Sequence, residues 1–496
     1  MKGPEFCSAS RTVRRLPQLS HLAACGLLFS LFTLPSQAQD LAEFRAAALS
    51  ALGGEVSGIE FTGSGWDACL GQPWAISEGW ARWELTDYRG VIDYRNGRSR
   101  HMTQRRAGMD PGRLGGCGAQ PDAAPAPQRG FIDDSAPWPD QLPLWLTPHG
   151  FLHLLDQGTA ALAQDGDGWQ VSLTLPRDGI EYELVAHFDS QHRLERIATH
   201  IDDGIFGDME VQATFGGYRD FGELNFPASY TLNQGGFPVL SLTIESAAPS
   251  TESLEPPPPR GGAGPPAAAA PEYQQIGPGI IAILGAYQSV AVEFSDHIVV
   301  IDGLQSDARV REVIRIVKAA IPSKPIRYVV STHNHFDHAY GIRQFLAEGA
   351  TVLTHRMNVA FFDVALATPR TLRHEATEPN EVPVRVQGVD GMLRLSDASG
   401  QVVELHALGA SHHAADMLIA YLPSIKTIVE ADILQPWINP VFDGGRDGPH
   451  PMLSYLAEEL EELGLDYERF VPIHTPPDPP FMQRADLEAA LRGDAQ

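Results

Sequence analysis

Residues 331–338, which read Ser-Thr-His-Asn-His-Phe-Asp-His, restrict the possible folds of this chain strongly. His333, His335, Asp337 and His338 follow directly after the apolar stretch 326–330. A regular helix or strand could not direct all four side chains to one point, whereas a loop leaving a strand end can. Ordinary core or surface histidines explain this pattern poorly. It therefore predicts a metal-binding loop.

Further side chains of the same ligand types lie beside later apolar stretches. His412 and His413 precede a strand predicted at 418–422, Asp432 follows a strand predicted at 427–431, and His474 ends the last apolar stretch. Ligands gather at the ends of strands in α/β proteins. The sequence therefore predicts a whole metal centre.

Strands and helices alternate after residue 272, which indicates an α/β layered fold. The main predicted strands are 289–294, 297–301, 326–330, 351–354, 402–407, 418–422 and 427–431, and the predicted helices are 306–320, 338–347 and 452–463.

The first half of the chain has a different pattern. Residues 168–247 alternate apolar and polar positions, which predicts an antiparallel sheet, and 142–155 has the spacing of a short helix. No catalytic constellation is expected there, and its tryptophans, such as Trp74, are assigned to a core in preference to a ligand groove. Proline, glycine and alanine then dominate. We predict a β-rich N-terminal domain over 39–247, a linker over 248–272 and a second domain over 273–496.

The first residues have the pattern of an export signal. Basic side chains precede an apolar run at 22–34, and Ser36-Gln37-Ala38 is a small-residue cleavage pattern. We expect residues 1–38 to be a cleaved signal peptide and the rest to be periplasmic or secreted. Of the 4 cysteines, Cys69 and Cys117 would remain, and in an oxidising compartment they would form one disulfide.

The charge of the chain limits its partners. A net charge of −26 over 496 residues repels a phosphate backbone, so nucleic acid is not an expected partner. No stretch is long and apolar enough for a stable membrane span. We expect a small-molecule substrate, and the sequence gives no indication of the oligomeric state.

The ligand pattern of residues 273–496 resembles that of the metallo-β-lactamase superfamily of zinc hydrolases. Within the superfamily, the chain is most similar to exported members in which an aspartate bridges two metal ions. The resemblance implies a four-layer αββα sandwich with a two-metal centre between the sheets. Of the two adjacent histidines it favours His413, because the family places an Asp or similar residue three positions after the ligand, as Asp416 is. It implies that the first metal is bound by His333, His335 and His413, the second by Asp337, His338 and His474, and both by Asp432.

These ligands suit two divalent ions, with zinc favoured by the export route and by the resemblance, although iron or manganese could occupy them. Two such ions would generate a bridging hydroxide near neutral pH. Asp337 would be the catalytic residue, because it can orient this nucleophile and take its proton. Asp302 has two interpretations: it orients a ligand imidazole, or it begins an Asp-Gly turn.

The expected reaction is hydrolysis of an ester, lactone, thioester or similar small substrate. A class B β-lactamase activity is an alternative, but the commonest subclass has Cys where this chain has Asp432, and a Lys soon after it. A mononuclear iron persulfide dioxygenase and a non-catalytic envelope binding protein are two more candidate functions. The complete ligand set argues against both of them.

Overall fold

The computed structural model describes residues 37–107, 126–257, 272–372, 383–434, 451–474 and 480–492. The predicted signal peptide up to residue 36, Cys117 and positions 258–271 of the predicted linker lie outside these ranges. Cys69 is disulfide-bonded. Within the described ranges, no helix has both the length and the apolar character that crossing a membrane requires.

The N-terminal part is built on one antiparallel sheet of 11 strands. Its strands are Gly58–Cys69 (β1), Ala81–Asp93 (β2), Arg98–Ala107 (β3), Ala126–Ile132 (β4), Thr159–Asp165 (β5), Gly168–Arg177 (β6), Ile180–Phe188 (β7), Leu194–Asp203 (β8), Gly207–Gly216 (β9), Ser229–Gln234 (β12) and Phe237–Pro249 (β13). A separate two-stranded pair is formed by Arg219–Asp220 (β10) and Asn225–Phe226 (β11). The order in the large sheet is β4-β3-β2-β1-β13-β12-β9-β8-β7-β6-β5, so β1 to β4 form one side of the sheet and the later strands form the other.

Three helices cover the apolar face of this sheet: Gln37–Ala51 (α1), Trp138–Trp145 (α2) and Pro148–Leu154 (α3). The alternation predicted for 168–247 is confirmed, because alternate side chains of β6 to β9 are buried. The single helix predicted over 142–155 is wrong. Pro148 lacks an N–H and stands at the first position of α3, so the helical region divides into two short helices.

The folded N-terminal part continues beyond the predicted boundary at residue 247. Strand β13 runs to Pro249, where it pairs with Ile59 of β1. Leu254 is buried, and its carbonyl accepts a hydrogen bond of 2.6 Å from Nη1 of Arg98. The first residues of the predicted linker therefore pack against the sheet.

The second part contains two sheets. The first has 7 strands in chain order and the second has 6, also in chain order. The strands of the first sheet are Tyr273–Gly277 (β14), Ile280–Ile283 (β15), Ser289–Glu293 (β16), Ile298–Ile301 (β17), Ile326–Val330 (β18), Thr351–His355 (β19) and Val386–Val389 (β20). Those of the second are Met392–Ser396 (β21), Val402–Ala407 (β22), Leu418–Leu422 (β23), Thr427–Glu430 (β24), Arg469–Pro472 (β25) and Met482–Gln483 (β26).

The two sheets pack face to face between layers of helices. Aliphatic side chains of both sheets form a dry core, such as Val299 and Ile301 on one side and Leu405 and Leu422 on the other. The outer faces carry helices Asp307–Ala320 (α4), Ile342–Ala347 (α5), Val359–Ala365 (α6), Pro451–Leu463 (α7) and Arg484–Leu491 (α8). This arrangement confirms the predicted αββα sandwich with a β-rich part before it.

One predicted helix of this part begins late. The sequence predicts a helix over 338–347, but 336–338 form a 3-10 turn and α5 begins only at Ile342. The hydroxyl of Ser331 donates to the carbonyls of His333 and His338, at 3.1 and 3.0 Å, and so closes this stretch into a compact loop. The loop geometry competes with the helix and delays its start.

The N-terminal sheet and the sandwich share one continuous apolar core. Buried cationic groups reinforce the contact: Arg343 donates to the carbonyls of Gly204 and Ile205, at 3.1 and 2.9 Å. Arg370 pairs with Asp202, with 2.9 Å between Nη2 and Oδ2. The two parts are therefore packed together through buried contacts.

Candidate metal centre

The predicted ligand side chains meet at one edge of the sandwich, between the ends of the two sheets. The loop 331–338 leaves the end of β18, His413 lies in the loop before β23, Asp432 follows β24 and His474 follows β25. Parallel pairing of β17 with β18 and of β24 with β25 places the ends of these strands at a common edge. The structure thus brings together all seven predicted ligands.

The side chains form two groups that share one carboxylate. In each group, one potential ligand atom from every residue lies within 4.8 Å of the others. The first group is His333, His335, His413 and Asp432, and the second group is Asp337, His338, Asp432 and His474.

In the first group, two imidazoles and a carboxylate face one another closely. The Nε2 atoms of His333 and His413 are 3.3 Å apart. Oδ2 of Asp432 is 3.0 Å from Nε2 of His413 and 3.4 Å from Nε2 of His333. His333 and His335 have no exposed surface.

In the second group, Nε2 of His338 lies 3.0 Å from Nε2 of His474. The Oδ1 atom of Asp432 is 2.7 Å from Nε2 of His474, while its Oδ2 is 3.4 Å from Nε2 of His338. Oδ2 of Asp337 is 3.6 Å from the Nε2 atoms of both histidines. Asp432 therefore directs its carboxylate to both groups.

The backbone around Asp432 is held in an unusual conformation. Asp432 has φ of +65°, a left-handed value that is uncommon for residues other than glycine. Oε2 of Glu430 accepts hydrogen bonds from the backbone N–H groups of Ile433 and Leu434, at 3.2 and 3.1 Å. Burial raises the pKa of Glu430 to about 8. These bonds support the turn that directs Asp432 towards the ligand groups.

Asp302 orients the His338 ring through Nδ1, the nitrogen on the side away from the second ligand group. Nδ1 of His338 lies 3.0 and 3.1 Å from the two carboxylate oxygens of Asp302. The carboxylate accepts the Nδ1 proton, which leaves the Nε2 lone pair facing the second group. Asp302 also has φ of +52° and accepts the N–H of Gly303 at 2.5 Å. Of the two sequence interpretations of this residue, the structure supports the one in which it orients a ligand imidazole.

His335 is oriented by the N-terminal part. Its Nε2 donates to the carbonyl of Pro73, at 3.1 Å. Its Nδ1 is buried and has no hydrogen-bond partner among the described residues. The unprotonated Nδ1 therefore faces the first group, as expected of a metal ligand whose other ring nitrogen is held by a carbonyl.

The ligand atoms of the two groups are arranged in the way that a site for metal ions needs. The imidazoles of His333 and His335 stay unprotonated in the first group, and two carboxylates lie beside the imidazoles of the second group. A cation in either group would balance these lone pairs and charges. Nitrogen and oxygen ligands in these two groups suit two divalent ions of the zinc type. The residues therefore fit the predicted metals.

The electrostatics of the two groups differ. Burial, with His338 nearby, lowers the pKa of His333 to about 4. Burial also acts to lower the pKa of His474, but the carboxylate of Asp432 reverses this and raises it to about 9. Burial acts to raise the pKa of Asp432, but the charges of His474 and His338 bring it well below its ordinary value. The second group thus favours positive charge, so a cation that enters it would displace protons.

Two further side chains hold Asp337. Nε2 of Gln72 donates to Oδ1 of Asp337 at 2.7 Å, and the hydroxyl of Tyr287 donates to Oδ2 at 3.0 Å. The Tyr287 ring also packs on His474, with 4.2 Å between centroids. Burial, together with the charge of Asp337, raises the pKa of Tyr287, so the phenol stays a donor.

The sequence interpretation missed the contribution of the N-terminal part. It predicts no functional residue between 39 and 247, yet Gln72 and Pro73 touch the ligands themselves. Trp74 lies half-buried at the same place, with its Nε1 donating to the carbonyl of Ser411 at 2.9 Å. Trp80, in contrast, is buried and packs on Phe336, as expected of a core tryptophan. The only local signal for the missed segment is its Gly-x-Pro turn pattern.

Asp416 joins the loops that carry the first-group histidines. It accepts hydrogen bonds from the side-chain amides of Asn334, at 2.7 Å, and of Asn358. Burial raises the pKa of Asp416 to about 6. The link fixes the loop of His413 relative to the loop of His333 and His335.

Sequence comparison relates the second half of the chain to known proteins. Residues 283–474 match the family model described as the metallo-beta-lactamase superfamily. The 2,4-dinitroanisole O-demethylase subunit alpha of Nocardioides sp. (strain JS1661) is 23% identical over 195 residues, which are 38% of this chain and 53% of the relative. The chain therefore spans about half the length of this curated relative.

Solved structures with distant similarity include two from bacteria. A metallo-beta-lactamase from Pontibacter korlensis is 15% identical, with a TM-score of 0.34, and the match covers 45% of this chain and 97% of that one. The stereoselective inverting sec-alkylsulfatase Pisa1 from Pseudomonas sp. is 18% identical, with a TM-score of 0.32, and the match covers 45% of this chain and 40% of that one.

Proposed function

Residues 283–474 belong to the metallo-β-lactamase superfamily, and from this premise we propose that the chain is an exported, zinc-dependent hydrolase of a small ester, lactone, thioester or similar substrate. The observation that carries the proposal is the position of Asp432. Its carboxylate lies 3.0 Å from the Nε2 of His413 in one ligand group and 2.7 Å from the Nε2 of His474 in the other. A carboxylate shared in this way can bridge two closely spaced ions, as a two-metal centre would use it.

Zinc bound to the two groups supplies Lewis acidity towards a substrate oxygen and activates water near neutral pH. The protein shields the ligands from water, because His333, His335 and His338 have no exposed surface. This environment strengthens electrostatic interactions with a developing negative charge.

Asp337 is the proposed catalytic residue. Its Oδ2 faces the Nε2 atoms of His338 and His474, at 3.6 Å from each. Burial acts to raise the pKa of Asp337, but the charge of His338 and the nearby His474 lower it overall, so the carboxylate is ionised and can orient a nucleophile by accepting its hydrogen bond. Tyr287 and Gln72 hold that carboxylate in place from either side.

The proposed substrate class is supported both by the metal ligands and by the arguments against other classes of substrate. Asp432 stands where the commonest β-lactamase subclass has Cys, which argues for ester-like substrates over β-lactams. The second ligand group argues against a mononuclear iron dioxygenase, because Asp337, His338 and His474 lie together. The net charge of −26 disfavours nucleic acid. The pattern of residues 1–38 supports a periplasmic or secreted location.

The test is metal analysis of the purified chain followed by a panel of substrates. We expect about two zinc ions per chain and hydrolysis of an aryl ester, a lactone or a thioester, lost with a chelator and restored by zinc. The panel includes a β-lactam, a phosphodiester and 2,4-dinitroanisole, the compound that the relative's name contains.

A matched pair of variants identifies the site. Asp432→Ala is expected to lose both metal and activity, whereas Asp466→Ala, at a side chain 75% exposed in the same part of the chain, is expected to keep both. Two bound zinc ions without turnover of any compound in the panel would overturn the hydrolase assignment. A chain that binds no metal would overturn the metal centre itself.

A further inference from the structure

The turn between β1 and β2 reaches from the N-terminal sheet into the metal centre. Four consecutive residues make the contact, and we call residues 71–74 the docking segment. The carbonyl of Gly71 accepts the backbone N–H of Phe336 at 2.9 Å. Gly71 has φ of +80°, and a Cβ atom at this position would lie 2.3 Å from Cγ of Phe336. Glycine adopts this positive φ without strain and leaves room for the Phe336 side chain.

The next two residues contact ligand side chains directly. The Gln72 amide donates to Oδ1 of Asp337 at 2.7 Å, and the Pro73 carbonyl accepts Nε2–H of His335 at 3.1 Å. The first bond leaves Oδ2 of Asp337 as the oxygen that faces the second group. The second bond fixes the tautomer of His335, with Nδ1 unprotonated towards the first group. One segment thus orients a ligand of each group.

Trp74 extends the contact to the second ligand loop. Its carbonyl accepts the backbone N–H of Ala415 at 2.8 Å, and its indole Nε1 donates to the carbonyl of Ser411 at 2.9 Å. His413 lies between these two residues in sequence. The docking segment therefore joins the loop 333–338 to the loop 411–416.

We propose that the docking segment is an integral part of the metal centre and that Gln72 is a positioning residue, which raises the affinity for the metal ion of the second group by fixing the Asp337 carboxylate. The inference rests on the proposed function for its metal ions but not on any substrate. It gives the N-terminal part a role in metal binding, where the sequence indicated none. Loss of an outer hydrogen bond to a ligand typically lowers metal affinity or activity by about 10- to 100-fold.

The test compares Gln72→Met, which keeps the side-chain volume but removes the donor, with the unchanged chain. The matched control is Gln170→Met, on β6 of the N-terminal sheet, where the amide donates a long bond of 3.3 Å to Ser172. Gln72→Asn is a second variant, since its shorter side chain cannot span the same distance. Zinc affinity is measured by competition with a chromophoric chelator, and thermal unfolding of the metal-free proteins checks folding.

We expect one of the two zinc ions to bind about 10- to 100-fold more weakly in both Gln72 variants, with metal-free unfolding temperatures close to that of the unchanged chain. The absorption spectrum of the cobalt-loaded protein should change in the Gln72 variants and not in Gln170→Met. Equal affinities and equal cobalt spectra in Gln72→Met and the unchanged chain would overturn the inference. An unchanged chain that binds two ions but hydrolyses nothing would overturn only the proposed reaction, because the affinity ratio still decides the role of Gln72.

Discussion

Asp302 and His338 form a fully buried pair, in which Oδ1 of Asp302 accepts the Nδ1 proton of His338 at 3.0 Å and neither side chain has exposed surface. The pair sets which nitrogen of His338 faces the second ligand group. Asp302 also has a φ of +52°, a backbone conformation that is uncommon for residues other than glycine.

Removal of the Asp302 carboxylate should weaken the metal centre. We expect Asp302→Ala to lower zinc affinity or turnover by about 10- to 100-fold, because His338 would lose its orienting acceptor. Asp302→Asn should have a smaller effect, since its amide oxygen can still accept the bond. Chelator competition measures the affinity. An Asp302→Ala protein with unchanged affinity would contradict the assigned role.

The choice between the two adjacent histidines can be tested directly. His413 lies 3.3 Å from His333, whereas His412 is in neither ligand group. We expect His413→Ala to lose at least one of two zinc ions and His412→Ala to retain both, as measured by metal analysis after gel filtration. The reverse result would transfer the ligand role to His412.

The buried contact between the N-terminal sheet and the sandwich should contribute strongly to stability. The Arg370 side chain is 8% exposed and pairs with two carboxylates, Asp202 of the N-terminal sheet and Asp307 of the sandwich. We expect Arg370→Met to lower the free energy of unfolding by about 3 kcal/mol, because both carboxylates lose their buried partner.

Arg356→Met is the control for that change, since Arg356 is 64% exposed and its partner Asp390 is 75% exposed, and exposed pairs contribute about 1 kcal/mol or less. Urea unfolding followed by tryptophan fluorescence measures both variants. Equal, small losses would mean that the Arg370 pair does not stabilise the interface.

Buried His149 should make the stability depend on pH. Its Nε2 lies 3.2 Å from the carbonyl of Gly54, it has no exposed surface, and burial lowers its pKa to about 4 from the ordinary 6.5. Between these two values the unfolded chain binds a proton that the folded chain does not. Stability should therefore fall as the pH decreases from 6.5 to 4, by up to on the order of 3 kcal/mol.

The variant His149→Gln removes this titrating group. Its free energy of unfolding, measured in urea at about pH 7, 6 and 5 in the presence of a chelator, should decrease less steeply with falling pH than that of the unchanged chain. The slope is the readout, because the substitution can change the overall level through packing. Parallel curves for the two proteins would show that His149 is not the source.

Local patterns are sufficient to predict most strands and helices of the second part and the ligand candidates, whereas the αββα sandwich follows from the family resemblance. The helix Asp307–Ala320 and the strand Ile326–Val330 follow from apolar periodicity, and the helix begins after Ser306, whose hydroxyl caps its N-terminus. The ligand loop is recognisable because four of its ligands are close in sequence. Where loop hydrogen bonds compete with periodicity, as at Ser331, the predicted helix begins too early.

Contacts between distant segments could not be predicted in this way. Gln72 lies 265 positions before Asp337, and Tyr287 lies 50 positions before it, yet both donate to its carboxylate. A single glutamine or tyrosine between two strands has no periodicity or motif that marks it as part of a site. Its partner is known only when the chain has folded.

Short-range apolar patterns and clustered imidazoles carry enough information to predict an α/β layered fold, the β-rich sheet before it and the candidate ligands, and the family resemblance adds the αββα sandwich and the choice of His413. The folded chain was needed to establish that Asp432 faces both ligand groups, that Asp302 orients His338 and that residues 71–74 of the N-terminal part contact both ligand loops. These relationships depend on the packing of two sheet systems into one core, and packing is set by the sum of many long-range contacts that no local stretch of sequence records.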